Sequence, residues 1–229
     1  NVSVEWDQVA DKYYWIKQGI KFVRRGSEIN EKSPELRHDT GWYYFHKIGK
    51  CDENVLMRKI FRSDDKPEVD ANGREQEALN SKGDDNYQAS ITWFQQAVDK
   101  CDELKVPPKR MGEVAFRSYP AHGQTNYALA KEEDGVFGEV IQRDWLDALK
   151  LWADYADHEF QFTGGKSVKL DYSPEIYTDL YRAVTVFTRS RVLSEGLAKD
   201  WQKIEPRDLF EYTKLVWSDL SFQELEEQS

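Results

Sequence analysis

The groups in this chain that could do chemistry are four histidines, two cysteines and a few carboxylate and glycine clusters. His38 and His46 stand eight positions apart, about two helical turns and about 12 Å, so they share a face but cannot hold one metal ion unaided. With Glu35, Trp42 and Phe45 they complete a polar-aromatic stripe, Glu35, His38, Trp42, Phe45 and His46. Its chemistry is recognition, through ring faces, imidazole nitrogens and one carboxylate, and not bond-making. The alternative is that Trp42 and Phe45 simply pack against the next helix. His122, beside Gly123 in a stretch read as loop, is the histidine best placed for catalysis by location.

The other constellations fall short of their full patterns. Gly164-Gly165-Lys166-Ser167 ends like a phosphate loop, but Phe160 stands where the first glycine belongs, and the residues before it read as helix. Glu68, Asp70, Asn72 and Gly73 imitate the start of a calcium loop, yet the twelfth position is Leu79 where a bidentate Glu is needed. Cys51 and Cys101 form no Cys-x-x-Cys pair. They read as free thiols, and one disulfide remains open to them. Neighbouring Glu132, Glu133 and Asp134 point apart on a helix and do not converge. No motif asks for a metal or a cofactor.

Composition narrows the partners. At 229 residues with net charge −10, the surface repels phosphate backbones and anionic membranes, so nucleic acid is not expected as a general partner. No run of 18 apolar residues is present, so this segment is not expected to insert in a membrane. Aromatics at 14% place the chain among folded proteins, with a core that depends on large rings.

The elements that must position these residues are helices. Trp6, Val9, Tyr13, Ile16, Ile20 and Val23 recur every three or four positions and predict a helix over 5–29. Ser33-Pro34 starts a second, to about Ile48 before Gly49; a third runs over 52–62. Residues 63–86 read as a polar insertion with a short helix near Glu75–Leu79. Strong periodicity resumes over 87–104 and stops at Pro107-Pro108. Residues 109–123 read as irregular because of Pro120 and Gly123. Helices follow over 124–134 and 138–158, then a loop over 160–173, with a short strand at Ser167-Val168-Lys169-Leu170 as the alternative, and helices from Pro174 and from Pro206 before a fraying tail from Glu224. The class is all-α, about nine helices in one domain over 1–229, with irregular loops near 63–86, 106–123 and 160–173.

Three segments repeat a small-large-small spacing. Gly19, Val23 and Gly26 are one; Tyr87, Ser90, Phe94 and Ala97 are another; Ile141, Trp145 and Ala148 echo it. Such residues share a helix face where a neighbouring helix can approach closely. The pattern resembles the second helix of a tetratricopeptide repeat, and residues 34–49 resemble the first, with Gly41 and Tyr44 in place. Thr40, Arg37 and Glu31 depart from the Leu, large-residue and closing-Pro positions. The resemblance covers about half the chain in three degenerate units and implies antiparallel hairpins stacked as a superhelix, a binding scaffold. The Lys and Asn of a peptide-carboxylate clamp are replaced by His38 and Trp42, then Thr125 and Leu129, so a chaperone-tail receptor is not implied.

Asp39-Thr40-Gly41-Trp42, Ile48-Gly49-Lys50-Cys51-Asp52-Glu53 and 132–139 also resemble uncharacterised planctomycete proteins, in which a helical repeat domain follows a membrane segment. This implies a membrane-anchored parent, with the anchor upstream of Asn1, and no particular activity.

The expectation is therefore a non-catalytic scaffold that binds a protein or peptide in a groove along Glu35, His38, Trp42, Phe45 and His46. The alternatives are a structural module of an envelope-associated assembly, with those rings as core, and an enzyme of unrecognised type.

Overall fold

The computed structural model describes residues 8–69, 75–136, 138–162 and 166–170. The helices expected from Pro174 and Pro206, the tail, Trp6, Asp70 to Gly73 of the calcium-like run, and Gly164-Gly165 lie outside them. Among the described residues the chain is predominantly helical, and it divides into two compact units between Gly123 and Gln124.

In the first unit, α1 (Val9–Ile29) turns its 3.6-residue apolar face onto a core of Tyr13, Ile16 and Ile20 with Tyr44, Ile48, Met57, Phe61 and Leu79. It stops at Asn30, whose backbone N–H and side-chain amide both donate to the Gly26 carbonyl, at 2.9 and 3.0 Å. Ser33 then caps α2 (Pro34–Trp42), accepting from the Leu36 N–H, with Pro34 at the first helical position where no N–H is needed. The helix continues to Ile48 as a π-helical turn, Tyr43–Ile48. The widened turn lets two adjacent rings face inward. Tyr44 meets Phe61, while Phe45 meets Tyr87 and Phe94.

Next come α3 (Asn54–Ser63) and α4 (Asn86–Leu104). Asp85 caps α4 and Gln88 returns the bond, a reciprocal arrangement that satisfies the first free N–H groups. The helix ends in a left-handed Lys105, just before Pro107-Pro108. Packing is tight where α2 crosses α4: a Cβ on Gly41 would stand 2.7 Å from the Phe94 ring. Tyr87, Ser90, Phe94 and Ala97 all lie buried on one face of α4. Val23 and the two glycines of α1, Gly19 and Gly26, are half-buried, and the glycines face Tyr43 and Leu36.

Two stretches of the first unit differ from expectation. Residues 75–79 are not a helix: Glu75–Gln76 (β2) pairs antiparallel with Glu68–Val69 (β1). Five residues cannot repay helix nucleation, and a two-residue ladder satisfies the backbone at once. Residues 113–123 are not irregular either. They open α5 (Glu113–Glu133), with Pro120 inside the helix. An interior proline costs about 3 kcal/mol and one hydrogen bond. Burial of Phe116, Pro120 and Ala121 offsets it. Gly123 is not a breaker but a point of approach, since a Cβ there would lie 2.6 Å from Ile91.

The second unit holds the remainder of α5, α6 (Glu139–Asp157) and a small hairpin, β3 (Phe160–Phe162) with β4 (Lys166–Val168). Ile141, Trp145 and Ala148 are fully buried against Ala128. The Trp145 and Trp152 indole N–H groups donate to Glu132 (3.0 Å) and Thr125 (3.1 Å), so both large rings are buried with their polar edges bonded. The hairpin replaces the loop expected from residue 160. Phe160 belongs to the buried set and stacks edge-on to Tyr155, which gives the first strand a packed face.

Candidate functional site

The structure brings the polar-aromatic stripe together and turns two of its five residues, His38 and Phe45, inward. His38 is 4% exposed. Its imidazole stacks on Phe116 at 4.6 Å and lies 5.0 and 4.7 Å from the rings of Phe94 and Tyr119. Nε2 has no hydrogen-bond partner. Burial therefore drives the pKa of His38 down to about 4. Phe45 is buried against Tyr87, Phe94 and Tyr119.

Trp42 and His46 remain half-exposed at the edge of this cluster, with ring centres 4.7 Å apart. Lys47 stands 5.8 Å over the Trp42 ring. Burial, then Lys50 and Lys47, lower the His46 pKa. At the other end, Glu35 accepts the Lys109 backbone N–H at 3.0 Å and the Ser33 hydroxyl at 3.1 Å. Burial would raise its pKa, but these bonds outweigh it and leave the carboxyl below its ordinary value. A cavity of about 150 Å³ opens between Glu35, His38, Asp39 and Arg110, the last two forming an ion pair.

The other candidates are dispersed. His122 sits on α5, exposed, not on a loop. Lys166 and Ser167 lie in strand β4, where a phosphate loop would need a helix N-terminus. Cys51 and Cys101 are both free, and burial pushes the Cys101 thiol up to about 11, away from nucleophile chemistry. Among the described residues no three His, Cys, Asp or Glu side chains converge on a metal position, and no helix is long and apolar enough to cross a membrane.

Two features of α1 do not belong to the stripe. One is an exposed ridge. Trp15, Phe22 and Ile29 are 41, 80 and 71% exposed. They recur at seven-residue spacing, which drifts only about 20° per repeat and keeps them on one line about 21 Å long. This spacing was legible in the sequence but lay beside the stronger inward stripe of Tyr13, Ile16 and Ile20. The other feature is a cleft of about 490 Å³ between α1, α3 and the β1–β2 ladder, with a buried Lys17–Asp64 ion pair in its wall. No local spacing signals that pair, because its members lie 47 positions apart.

The chain matches no protein-family model, no curated protein and no solved structure.

Proposed function

We propose that this chain is a non-catalytic protein-interaction module of tetratricopeptide-like helical hairpins, and that it engages its partner through the outer ridge of α1. The carrying observation is the line of Trp15, Phe22 and Ile29, large apolar side chains left in solvent on a helix whose other face is core. We read this exposed apolar line, with Arg25 set between Phe22 and Ile29, as the docking surface. The hairpin reading is supported by the short connection from Asn30 to Ser33, by α2 packing against both α1 and α4, and by the close approach at Gly41.

The partner is an amphipathic helix with acidic flanks. The α1 sequence carries five basic and two acidic residues in a chain of net charge −10. Arg25 stands between Phe22 and Ile29 on the same side, one turn after Lys21. A second copy of α1 laid on this ridge would set like charges together, which disfavours self-association there. Burial of His38 and Phe45 favours, for the original stripe, the reading of those rings as structural core.

Selection from a random peptide display library tests this, with Phe22→Asp as the counter-target. Enriched peptides should carry apolar residues at i, i+3 or i+4, and i+7 with Asp or Glu beside them, and should lose binding to Phe22→Asp. Peptides that bind the variant equally well, or no enrichment at all, would overturn the ridge as the docking surface.

A further inference from the structure

We propose that the cleft beside α1 binds an amphipathic organic anion, a carboxylate or similar oxyanion head on a compact apolar body. The inference is independent of the ridge. A space of about 490 Å³ falls in the range of small-molecule sites. Tyr14, Ile60 and Val69 line it with apolar surface, and Lys17, Asp64, Ser63 and Gln76 with the Tyr13 hydroxyl supply polar groups.

The chemistry of the head follows from how those polar groups are spent. Lys17 and Asp64 side chains are only 7 and 5% exposed. Asp64 uses one oxygen on Lys17 (2.7 Å) and the other on the Tyr13 hydroxyl (2.8 Å). That occupies two of about four acceptor sites of the carboxylate, so the charge balance of the cleft rests on Lys17 and Lys59 against the one Asp64. The Lys17 ammonium carries three N–H donors and makes one bond, to Asp64. Two buried donors of a cation remain to be satisfied, and the cleft is the space from which an acceptor can reach them. Lys59 lies exposed at the same cleft. Lys21 stands near enough to Lys17 that, after burial, the Lys17 charge is the next cause lowering its pKa; Glu77 and Asp64 oppose it. An anionic head meets unspent donors and surplus positive charge. A cationic head meets two ammonium groups and a carboxylate already bonded twice.

The body of the ligand follows from the walls. Two tyrosine rings and two branched aliphatic side chains give area to an alkyl chain or a ring. The site thus selects one charge and an apolar tail.

Titration calorimetry on the full chain, with decanoate and decylammonium below their micelle concentrations, tests both halves of the statement. Decanoate should bind at one site per chain, with decylammonium at least tenfold weaker. The double substitution Lys17→Met with Asp64→Leu removes the donors while keeping the wall neutral, and should weaken decanoate at least tenfold. Lys59→Gln, an exposed position that does not threaten folding, should weaken it several-fold, and Ile60→Trp should abolish binding of both compounds by filling the cleft. Equal affinity for the two head groups, wild-type decanoate affinity in Lys59→Gln together with the double variant, or no saturable decanoate binding would each overturn the proposal.

Discussion

Replacing His38 by phenylalanine should flatten the acid limb of this protein's stability profile. In the folded chain the imidazole lies among Phe94, Phe116 and Tyr119 with Nε2 unbonded, and its pKa falls from 6.5 to about 4. The folded state thus binds fewer protons than the unfolded state between those two values, so stability rises with pH across that window. No cost exists above pH 6.5. The cost grows as pH falls and is complete below about pH 4, where a shift of this size corresponds to about 3 kcal/mol; some 2 kcal/mol of it is already present at pH 5.

Urea denaturation of wild type and His38→Phe at pH 7 and pH 5 reads the effect as a difference of differences, which removes the carboxylates and His46 common to both proteins. The wild type should lose about 2 kcal/mol more than the variant between the two pH values. At pH 7 the variant should be equal to or more stable than wild type, since it removes a buried unpaired nitrogen and the neighbouring cavity of about 150 Å³ admits the larger ring. Parallel profiles would refute the reasoning, and so would an imidazole titration midpoint for His38 near 6.5 by NMR.

Three further outcomes follow from the packing. Gly41→Ala should cost about 1–3 kcal/mol in chemical denaturation, because its Cβ would press on the fully buried Phe94 ring at 2.7 Å. Asp64→Leu alone should cost about 3–5 kcal/mol by leaving Lys17 buried without its partner, while adding Lys17→Met should restore most of the loss; equal destabilisation by the single and double variants would refute a paired charge. Cys101 should resist thiol reagents in the native protein at pH 8 and react after unfolding, since burial holds its thiol near pKa 11.

How much of this was legible depends on whether the signal was local. The boundaries of α4 were readable, because a 3.6-residue face and a Pro-Pro stop both act within a few residues. The start of α5 was not. Pro120 and Gly123 read as punctuation when taken alone, and only the fold places Gly123 under Ile91 and buries Pro120. The stripe of Glu35, His38, Trp42, Phe45 and His46 was real as a face, but spacing cannot say whether a face meets solvent or Phe94, Phe116 and Tyr119. The cleft was invisible, since Lys17 and Asp64 are 47 positions apart.

The segment between α3 and α4 shows why a polar, turn-rich sequence can still belong to a core. A buried carboxylate stakes each end. Asp64 takes Lys17 and Tyr13 of α1. Asp85 takes Arg58 of α3 at 3.0 Å while capping α4, and Arg58 also donates to Asn86 at 3.2 Å. Between them, Asn80 bonds the Asp64, Phe61 and Asp84 backbones, and Leu79 enters the same core as Phe61. Buried pairs contribute little net stability against apolar replacements, so cohesion is not their main effect. Their effect is on alternatives: a chain that closed this segment in another register would bury Lys17 or Arg58 without a partner, at about 3–5 kcal/mol each. The same arrangement that fixes the register commits Asp64 to Lys17 and Tyr13, and it thereby leaves two Lys17 donors for whatever enters the cleft.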